Sequence, residues 1–387
     1  MSTAAPGPAE GGAVTAPRAS RSVPLIGSLQ GYIGLVLIVV IGIWTQGDTF
    51  ANLTNLTQAV GYFAPRAILA VGMTLVIIAA GIDLSVGSLM AVGSTASALM
   101  LTELNWPVIA IVPASMLLGA VFGFVNGAGT ALLKIQSFVM TLAMMSIARG
   151  VVREASDNQS VGILTLTSSN TVAPGSAQFQ QLGTPGKTLF DVPLIGYFPV
   201  LALVIVVIIF QVVLSRTTFG RHIYAVGGNP TAARLSGVNV TGVTIAVFTL
   251  SGLLAGLAGP ISAAYNASAD PLAGMGYELD AIAAVVIGGA SLAGGRGNVI
   301  GTLIGCLILT LLDNVLGLNQ FSPNWQLIIK GVIVVLAVVI QRPDLFARFA
   351  GRRFSGPKGG AAAPTPPPTS SSAATDPLHK SGEASGS

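Results

Sequence analysis

Residues with catalytic potential are few in this chain, and they form no pattern typical of an enzyme. Gly183–Thr188 (Gly-Thr-Pro-Gly-Lys-Thr) contains the Gly-Lys-Thr triplet that ends a phosphate-binding P-loop. A P-loop also needs a glycine five positions before Gly186, where Gln181 stands, and Pro185 removes a backbone N–H. His222 is isolated, and no Ser/His/Asp set, histidine pair or metal-ligand spacing appears. We therefore expect no catalytic residue, no metal site and no ATP site.

A polar stretch, Gly81–Ser88 (Gly-Ile-Asp-Leu-Ser-Val-Gly-Ser), separates two long apolar runs. Gly81 is suited to ending the helix before it, and Asp83 to capping the next helix by accepting N–H bonds from its first turn. If the runs cross a membrane, an ionisable group between them is also a functional candidate. Asp83, Ser85 and Ser88 therefore either cap a helix or line the inner mouth of a translocation pathway.

The composition shows what kind of elements must position these residues. The chain has 387 residues, of which 52% are hydrophobic and only 8% charged, and its mean hydropathy is +0.78. Soluble domains carry roughly 25% charged residues, so the composition excludes a soluble enzyme, a nucleic-acid-binding domain and a disordered chain. The single cysteine, Cys306, lies in an apolar run and is predicted to be a buried core residue. The chain is predicted to be a polytopic membrane protein.

Apolar runs close to the roughly 20 residues that a membrane-crossing helix needs recur along the chain. The predicted spans are Leu25–Trp44, Val60–Ala80, Leu84–Leu101, Val108–Leu133, Phe138–Val152, Leu194–Leu214, Val243–Ala264, Leu279–Leu292, Val299–Leu318 and Leu327–Ile340. The fold class is therefore an all-α membrane protein of about ten transmembrane helices. Residues 23–345 form this domain, between a disordered tail (1–22) and a basic, then low-complexity tail (346–387).

The distribution of charge orients the chain in the membrane. With both chain ends placed in the cytoplasm, all but five of the 18 basic residues fall on the inner side. The exceptions are Arg66, Arg149, Arg153, Lys187 and Lys330. Because lysine and arginine are retained on the cytoplasmic side, this bias predicts an N-in/C-in topology.

Three features inside the spans have structural interpretations. Small residues recur at four-residue spacing and predict close helix contacts. They are Gly119, Gly123 and Gly127, then Gly252 and Gly256, then Gly297, Gly301 and Gly305. Glu278 and Asp280 stand where acids favour a helix N-terminus. Arg66 falls inside the second span, where we expect snorkelling or pairing with an acid.

The longest internal loop, Ser215–Thr241, carries the pattern of a short helix. Asn229-Pro230 is a helix-start signal, because proline is favoured at the first helical position. Thr231–Leu235 can then form one to two turns, which Gly237 ends. A helix this short is unstable alone, and on the cytoplasmic surface it suits a docking element. An ordinary connecting loop is the alternative.

Four ordered motifs resemble a known family. They are Gly81–Ser88, Phe219–Asn229 (Phe-Gly-Arg-His-Ile-Tyr-Ala-Val-Gly-Gly-Asn), Ala233–Asn239 (Ala-Arg-Leu-Ser-Gly-Val-Asn) and Glu278–Gly297. Together they resemble the permease subunits of bacterial ABC importers for monosaccharides, with ribose and xylose permeases nearest. The resemblance covers roughly Gly31 to Gln341.

The resemblance implies a homodimeric pore in the bacterial inner membrane, surrounded by lipid. It also implies two partners, a cytoplasmic ABC ATPase and an extracytoplasmic sugar-binding protein. ATP and Mg²⁺ would then belong to the ATPase, and this chain would bind no cofactor and no nucleic acid. ABC permeases dock through a coupling helix with the pattern Glu-Ala-Ala, three residues, Gly. Residues 231–237 match it except for Thr231.

The resemblance therefore carries ATPase docking over to Ala232, Ala233 and Gly237, within a coupling segment that also contains Asn229, Pro230, Arg234 and Leu235. Two other functions stay open at this point. An ion-coupled secondary transporter would use membrane carboxylates such as Asp83, Asp280 or Asp313. An ABC permease for branched-chain amino acids or nucleosides is the other alternative.

Overall fold

Helices make up nearly all of the regular structure in the computed structural model, which describes residues 25–164, 172–183 and 197–340. The helices are α1 (Leu25–Ala51), α2 (Leu53–Ile78), α3 (Val86–Thr102), α4 (Val108–Ala131), α5 (Ser137–Ala155), α6 (Ser176–Gln181), α7 (Phe198–Arg216), α8 (Thr218–Gly228), α9 (Pro230–Leu235), α10 (Val240–Asn266), α11 (Tyr277–Ile287), α12 (Val299–Leu318) and α13 (Pro323–Ile340). One antiparallel ladder joins β1 (Val161–Gly162) to β2 (Ser268–Ala269). The two predicted tails, 1–22 and 346–387, lie outside the described residues.

Six of the described helices are long and apolar enough to cross a bilayer: α1 from Tyr32 onward, α2, α4, α7, α10 and α12. The predicted helical membrane protein is confirmed at this level. The other four predicted spans coincide with α3, α5, α11 and α13. The count of about ten spans and the N-in/C-in orientation stay predictions.

Helix α3 lies at the centre of the bundle. Nearly all of its residues are buried, because α2, α4, α5 and α10 pack around it. Leu89, Met90 and Leu101 are among the largest fully buried side chains. A helix enclosed in this way needs apolar or small residues on every face, as in its sequence. Cys306 is buried among the core residues, as predicted.

The glycine stripes bring helix backbones into contact, as the four-residue spacing predicts, except at Gly297, which lies in the loop before α12. A Cβ on Gly252 of α10 would collide with the carbonyl oxygen of Gly119 on α4. A Cβ on Gly123 would likewise collide with the carbonyl oxygen of Phe248. In α12, Gly305 lies against the carbonyl oxygen of Ala284 in α11. Close approach of this kind replaces side-chain interdigitation with direct backbone packing.

Helix α1 continues to Ala51, past the predicted Trp44, and α2 begins at Leu53, before the predicted Val60. Two other differences have a local cause. Helix α11 ends at Ile287, five residues before the predicted Leu292, because Gly288 caps it and Gly289 takes a φ of 89°. The turn after α2 uses Ala80 (φ 62°) as its left-handed residue, where Gly81 was expected. Gly81 closes the turn by donating its N–H to the carbonyl of Val76 at 2.9 Å.

Candidate functional site

The predicted coupling segment forms helix α9. The Asn229 side chain accepts a hydrogen bond from the Ala232 N–H at 2.9 Å, and Pro230 occupies the first helical position. Gly237, with a φ of 84°, follows the helix in a conformation that favours glycine. The local helix signals were therefore correct at both ends.

The predicted docking residues divide into an inner and an outer face of α9. Ala233 is buried against the rest of the subunit, whereas Ala232 and Arg234 are exposed. Leu235 has 85% of its surface exposed, although it is a large apolar side chain. Leu235 therefore adds an apolar side chain to the outer face of α9.

Helix α8 attaches α9 to the membrane-spanning core. It is amphipathic, and it buries Ile223 and Val226 while exposing Arg221. Gly227 lies directly against the carbonyl oxygen of Ile78, at the C-terminal end of α2. This helix was not among the elements predicted from the sequence, although its apolar residues at positions 219, 223 and 226 follow helical spacing.

A glycine-rich loop, residues 288–298, completes this junction. The Gly295 N–H donates to the carbonyl of Ile78 at 2.9 Å, and the Tyr224 hydroxyl donates to the carbonyl of Gly297 at 2.7 Å. Burial raises the pKa of the Tyr224 phenol above its usual value, so the hydroxyl keeps the proton it donates. Helices α2 and α8 are thereby fixed to one loop.

The polar stretch after α2 forms a buried hydrogen-bond cluster inside the bundle. Asp83 Oδ1 accepts from the Ser85 N–H at 3.0 Å and from Ser85 Oγ at 2.6 Å. Its Oδ2 accepts from Ser251 Oγ of α10 at 3.0 Å, and Asn126 of α4 donates to Ser85 Oγ at 2.8 Å. The cluster therefore joins the start of α3 to α4 and α10.

The expected cap is displaced by two residues. Helix α3 begins at Val86, so Ser85 occupies the N-cap position and Asp83 bonds Ser85 rather than the first turn. Asp83, Ser85 and Ser88 are each at most 1% exposed in this conformation. Their role in a translocation pathway stays a prediction.

The opposite half of the bundle contains a cluster of four charged residues. Arg66 of α2 donates to Asp313 of α12 at 2.7 Å, so the expected acid partner of Arg66 is present. Lys330 of α13 lies 3.1 Å from the Asp313 carboxylate and 3.4 Å from Asp280 of α11. The Arg66 guanidinium also lies 4.7 Å from the ring centre of Tyr277. The cluster joins four helices.

The sequence indicated Arg66, Asp280 and Asp313 separately, but it did not indicate that Lys330 pairs with both aspartates. A lysine inside an apolar span was the available signal, because such a charge needs a counter-charge. Asp280 also lies with Glu278 in the first turn of α11, where acids were expected. The pairing makes these two aspartates members of a charge-balanced cluster.

The P-loop-like segment has a packing role at its first residue. Gly183 lies against the backbone of Ala264 and Tyr265, and its carbonyl accepts a hydrogen bond from the Tyr197 hydroxyl. The rest of the segment, 184–188, lies outside the described residues. Among the residues with described positions, no group of three His, Cys, Asp or Glu side chains could hold a metal ion.

Comparison with known proteins places this architecture. Residues 55–338 match the model of a protein family described as branched-chain amino acid transport system / permease component. A ribose import permease protein of Escherichia coli strain K12 is 44% identical over 319 residues, covering 79% of this chain and 90% of the relative.

Two other relatives are similar over the same region. A ribose import permease protein of Bacillus subtilis strain 168 is 39% identical, covering 81% of this chain and 92% of the relative. A xylose transport system permease protein of Escherichia coli strain K12 is 34% identical, with 80% and 91% covered. No solved structure matches the chain. The chain therefore belongs to the family of transport-system permease components that the matching model describes.

Proposed function

We propose that this chain is the pore subunit of an ATP-driven importer that moves a monosaccharide into the cytoplasm. Family membership makes it a permease component. The names of the ribose and xylose relatives favour a sugar over a branched-chain amino acid or a nucleoside. The observation that carries the proposal is helix α9, a capped surface helix with an exposed leucine, joined through α8 to the core.

In the proposed topology both chain ends are cytoplasmic and the protein crosses the inner membrane about ten times. Helices α8 and α9 then lie on the cytoplasmic side, together with the described basic residues Arg216, Arg221, Arg234 and Arg296. The charge cluster around Lys330 falls in the extracytoplasmic half. This orientation presents α9 to an ATPase and the opposite end of the bundle to a sugar-binding protein.

Helix α9 acts as the coupling helix in this proposal. The exposed Leu235 enters an apolar pocket on the ATPase, while the buried Ala233 holds the helix to its own subunit. The chain has no P-loop, so ATP and Mg²⁺ bind the ATPase. Closure of that ATPase acts on the pore only if it favours one pore conformation over another.

The contacts at Ile78 connect the coupling helix to the pore helices, so that ATPase closure acts on the pore conformation. Movement of α9 displaces α8, and α8 is in direct backbone contact with the inner end of α2 through Gly227. The same carbonyl of Ile78 accepts the Gly295 N–H, so the loop before α12 moves with α2. A rigid-body movement at the cytoplasmic surface is thus passed to α2 and α12, which reach the extracytoplasmic half.

The proposed assembly contains two copies of this chain. An ATPase pair with two-fold symmetry offers two equal docking sites, and two identical permeases satisfy them with the same α9 contact. The bound lipid, the second copy and the sugar-binding protein complete the importer. A weakly binding polar path suits a neutral polyhydroxylated substrate, and the binding protein then sets most of the specificity.

The ion-coupled alternative is less consistent with the geometry. Two of its three candidate carboxylates, Asp280 and Asp313, are already paired with Arg66 or Lys330. A carboxylate held by a fixed cation is poorly suited to reversible binding of a proton or sodium ion, because the cation occupies its coordination sites. Asp83 remains, bonded to two serines.

Replacing Leu235 with aspartate tests the proposal. The side chain is exposed in the isolated subunit, so Leu235→Asp leaves folding intact but buries a charge on docking. We expect ATPase co-purification and sugar uptake to fall about tenfold or more, as for a central interface residue. Leu235→Met is the matched control and retains both. Normal ATPase co-purification and uptake with Leu235→Asp would refute docking through α9.

A further inference from the structure

The extracytoplasmic half of the bundle contains a cavity of about 480 Å³ between α2, α12 and α13. This volume lies within the roughly 300–1,000 Å³ range of small-molecule sites. A neighbouring cavity of about 390 Å³ shares Asn55, Gln58 and Leu318 with it and extends to the turn between α1 and α2. The two cavities adjoin at these three residues.

Amide side chains supply much of the polar wall. Asn55 of α2 and Asn314 of α12 exchange hydrogen bonds of 2.7 and 3.0 Å across the cavity rim. Gln58 lies one turn further along α2 and is exposed to both cavities. Gln326 of α13 stands on the opposite wall. Each amide offers donors and acceptors together, which suits hydroxyl groups that also donate and accept.

The floor of the cavity is charged but electrically balanced. Arg66, Asp313 and Lys330 line it, and Asp280 pairs with Lys330 below. Two cations and two carboxylates leave the floor without net charge. This balance disfavours the binding of a charged ligand, whether an anion such as phosphate or a cation. Arg66 Nε is buried and has no hydrogen-bond partner among the described residues, so the floor keeps an unused donor.

The cavity also has an apolar surface. Tyr62, a residue that is 47% exposed, lines it, and its ring is held edge-on by Tyr265, with 4.8 Å between ring centres. Leu318 and Leu327 add aliphatic surface. Amides that both donate and accept, beside one aromatic face, suit a small, uncharged and hydroxyl-rich molecule.

We propose that this cavity is a binding site in the permease itself, where a neutral monosaccharide is received from the extracytoplasmic side. The inference rests on the proposed function, and it assigns the receiving site to Asn55, Gln58, Gln326 and the charged floor. The floor closes the site on its inner side, since only about 10 Å³ of free space lies beneath Arg66. Sugar therefore waits above the cluster until α2 and α12 move.

Protection of an introduced cysteine tests the site directly. The only natural cysteine, Cys306, is buried, so the parent chain gives a low background with a membrane-impermeant thiol reagent. We expect Gln58→Cys to react from outside, and D-ribose or D-xylose at twice its dissociation constant to slow the reaction about threefold. Gln159→Cys, on an exposed extracytoplasmic turn, is the matched control and reacts equally with and without sugar.

A second variant keeps the proposal falsifiable without chemical labelling. Gln58→Leu keeps the size of the side chain and removes its hydrogen bonds, so the KM for uptake should rise about three- to tenfold. Gln159→Leu should leave the KM unchanged. If the unaltered chain imports no monosaccharide when its ATPase and binding protein are supplied, the proposed function is wrong.

If the unaltered chain imports sugar normally, either of two results would overturn the binding-site inference and leave the proposed function standing. One is a Gln58→Cys reaction that is absent or insensitive to both sugars. The other is an unchanged KM in Gln58→Leu. Inorganic phosphate serves as the charged probe, and protection by phosphate equal to that by D-ribose would likewise overturn the assignment to a neutral sugar.

Discussion

The junction between α8 and α2 leads to a prediction that separates transmission from docking. Gly227 and Gly228 are consecutive residues at the end of α8, but only Gly227 faces the core. We expect Gly227→Ala to lower both stability and sugar uptake, and Gly228→Ala to leave uptake unchanged without any loss of stability. The α9 helix that we propose as the ATPase contact is unaltered in both variants.

The size of the expected stability loss follows from the space around the added methyl group. A Cβ on Gly227 would lie 2.7 Å from the Gly295 nitrogen and 2.8 Å from the carbonyl carbon of Ile78. The carbonyl oxygen of Ile78 would lie closer still. Since favourable contacts begin near 3.5 Å, α8 must retreat by more than about 0.8 Å. Overpacking of this kind costs about 1–3 kcal/mol. Around Gly228 a Cβ meets nothing within 4 Å.

The comparison of adjacent glycines controls for helix propensity, which also changes when glycine is replaced by alanine. Alanine is a better helix former than glycine by up to about 1 kcal/mol, and both substitutions gain this term. The difference between the two variants therefore isolates the contact with Ile78. Thermal unfolding of the purified proteins in detergent measures the stability difference, and uptake in cells with the ATPase measures transmission.

The expected pattern is a lower unfolding temperature and reduced uptake for Gly227→Ala, with ATPase co-purification unchanged. That combination would show that the variant docks its ATPase normally but fails to pass the movement on to the pore helices. Equal unfolding temperatures and equal uptake for the two variants would refute the reasoning, because they would show that the α8–α2 contact neither packs tightly nor passes movement to the core.

Two further predictions concern the interior of the bundle. Gly252→Ala should destabilise the protein by about 1–3 kcal/mol through its clash with Gly119, whereas Gly150→Ala, in open space on α5, should not; equal unfolding temperatures would contradict this packing. Asp83→Leu should lower the unfolding temperature more than Asp83→Asn, because leucine leaves the Ser85 and Ser251 hydroxyls without an acceptor. Normal folding but lost uptake in Asp83→Asn would favour the pathway role of Asp83 over a structural one.

Local signals predicted the parts of the structure that depend on neighbouring residues. The coupling segment is an example, because Asn229, Pro230 and Gly237 act on their own turn of backbone. The glycine stripes are another, since four-residue spacing alone places them on one helix face. These features need no knowledge of the partner helix to be recognised.

Features that depend on distant residues escaped prediction. Arg66 and Asp313 are separated by 247 positions, so no local pattern indicates that they pair. Lys330 joins the same cluster from a third helix, and the cavity above it exists only after α2, α12 and α13 have packed. The contact of α8 with Ile78 escaped prediction for the same reason, because Ile78 lies far earlier in the chain. The helical spacing of the apolar residues in α8 was itself a local signal.

Reconstitution tests the central claim most directly. The purified chain would be placed in liposomes with its ATPase, ATP would be enclosed on the cytoplasmic side, and radiolabelled D-ribose or D-xylose would be added outside with the binding protein. The account predicts sugar accumulation that requires hydrolysable ATP and the binding protein and that persists when a protonophore collapses ion gradients. Accumulation that proceeds without ATP and stops with the protonophore would contradict it.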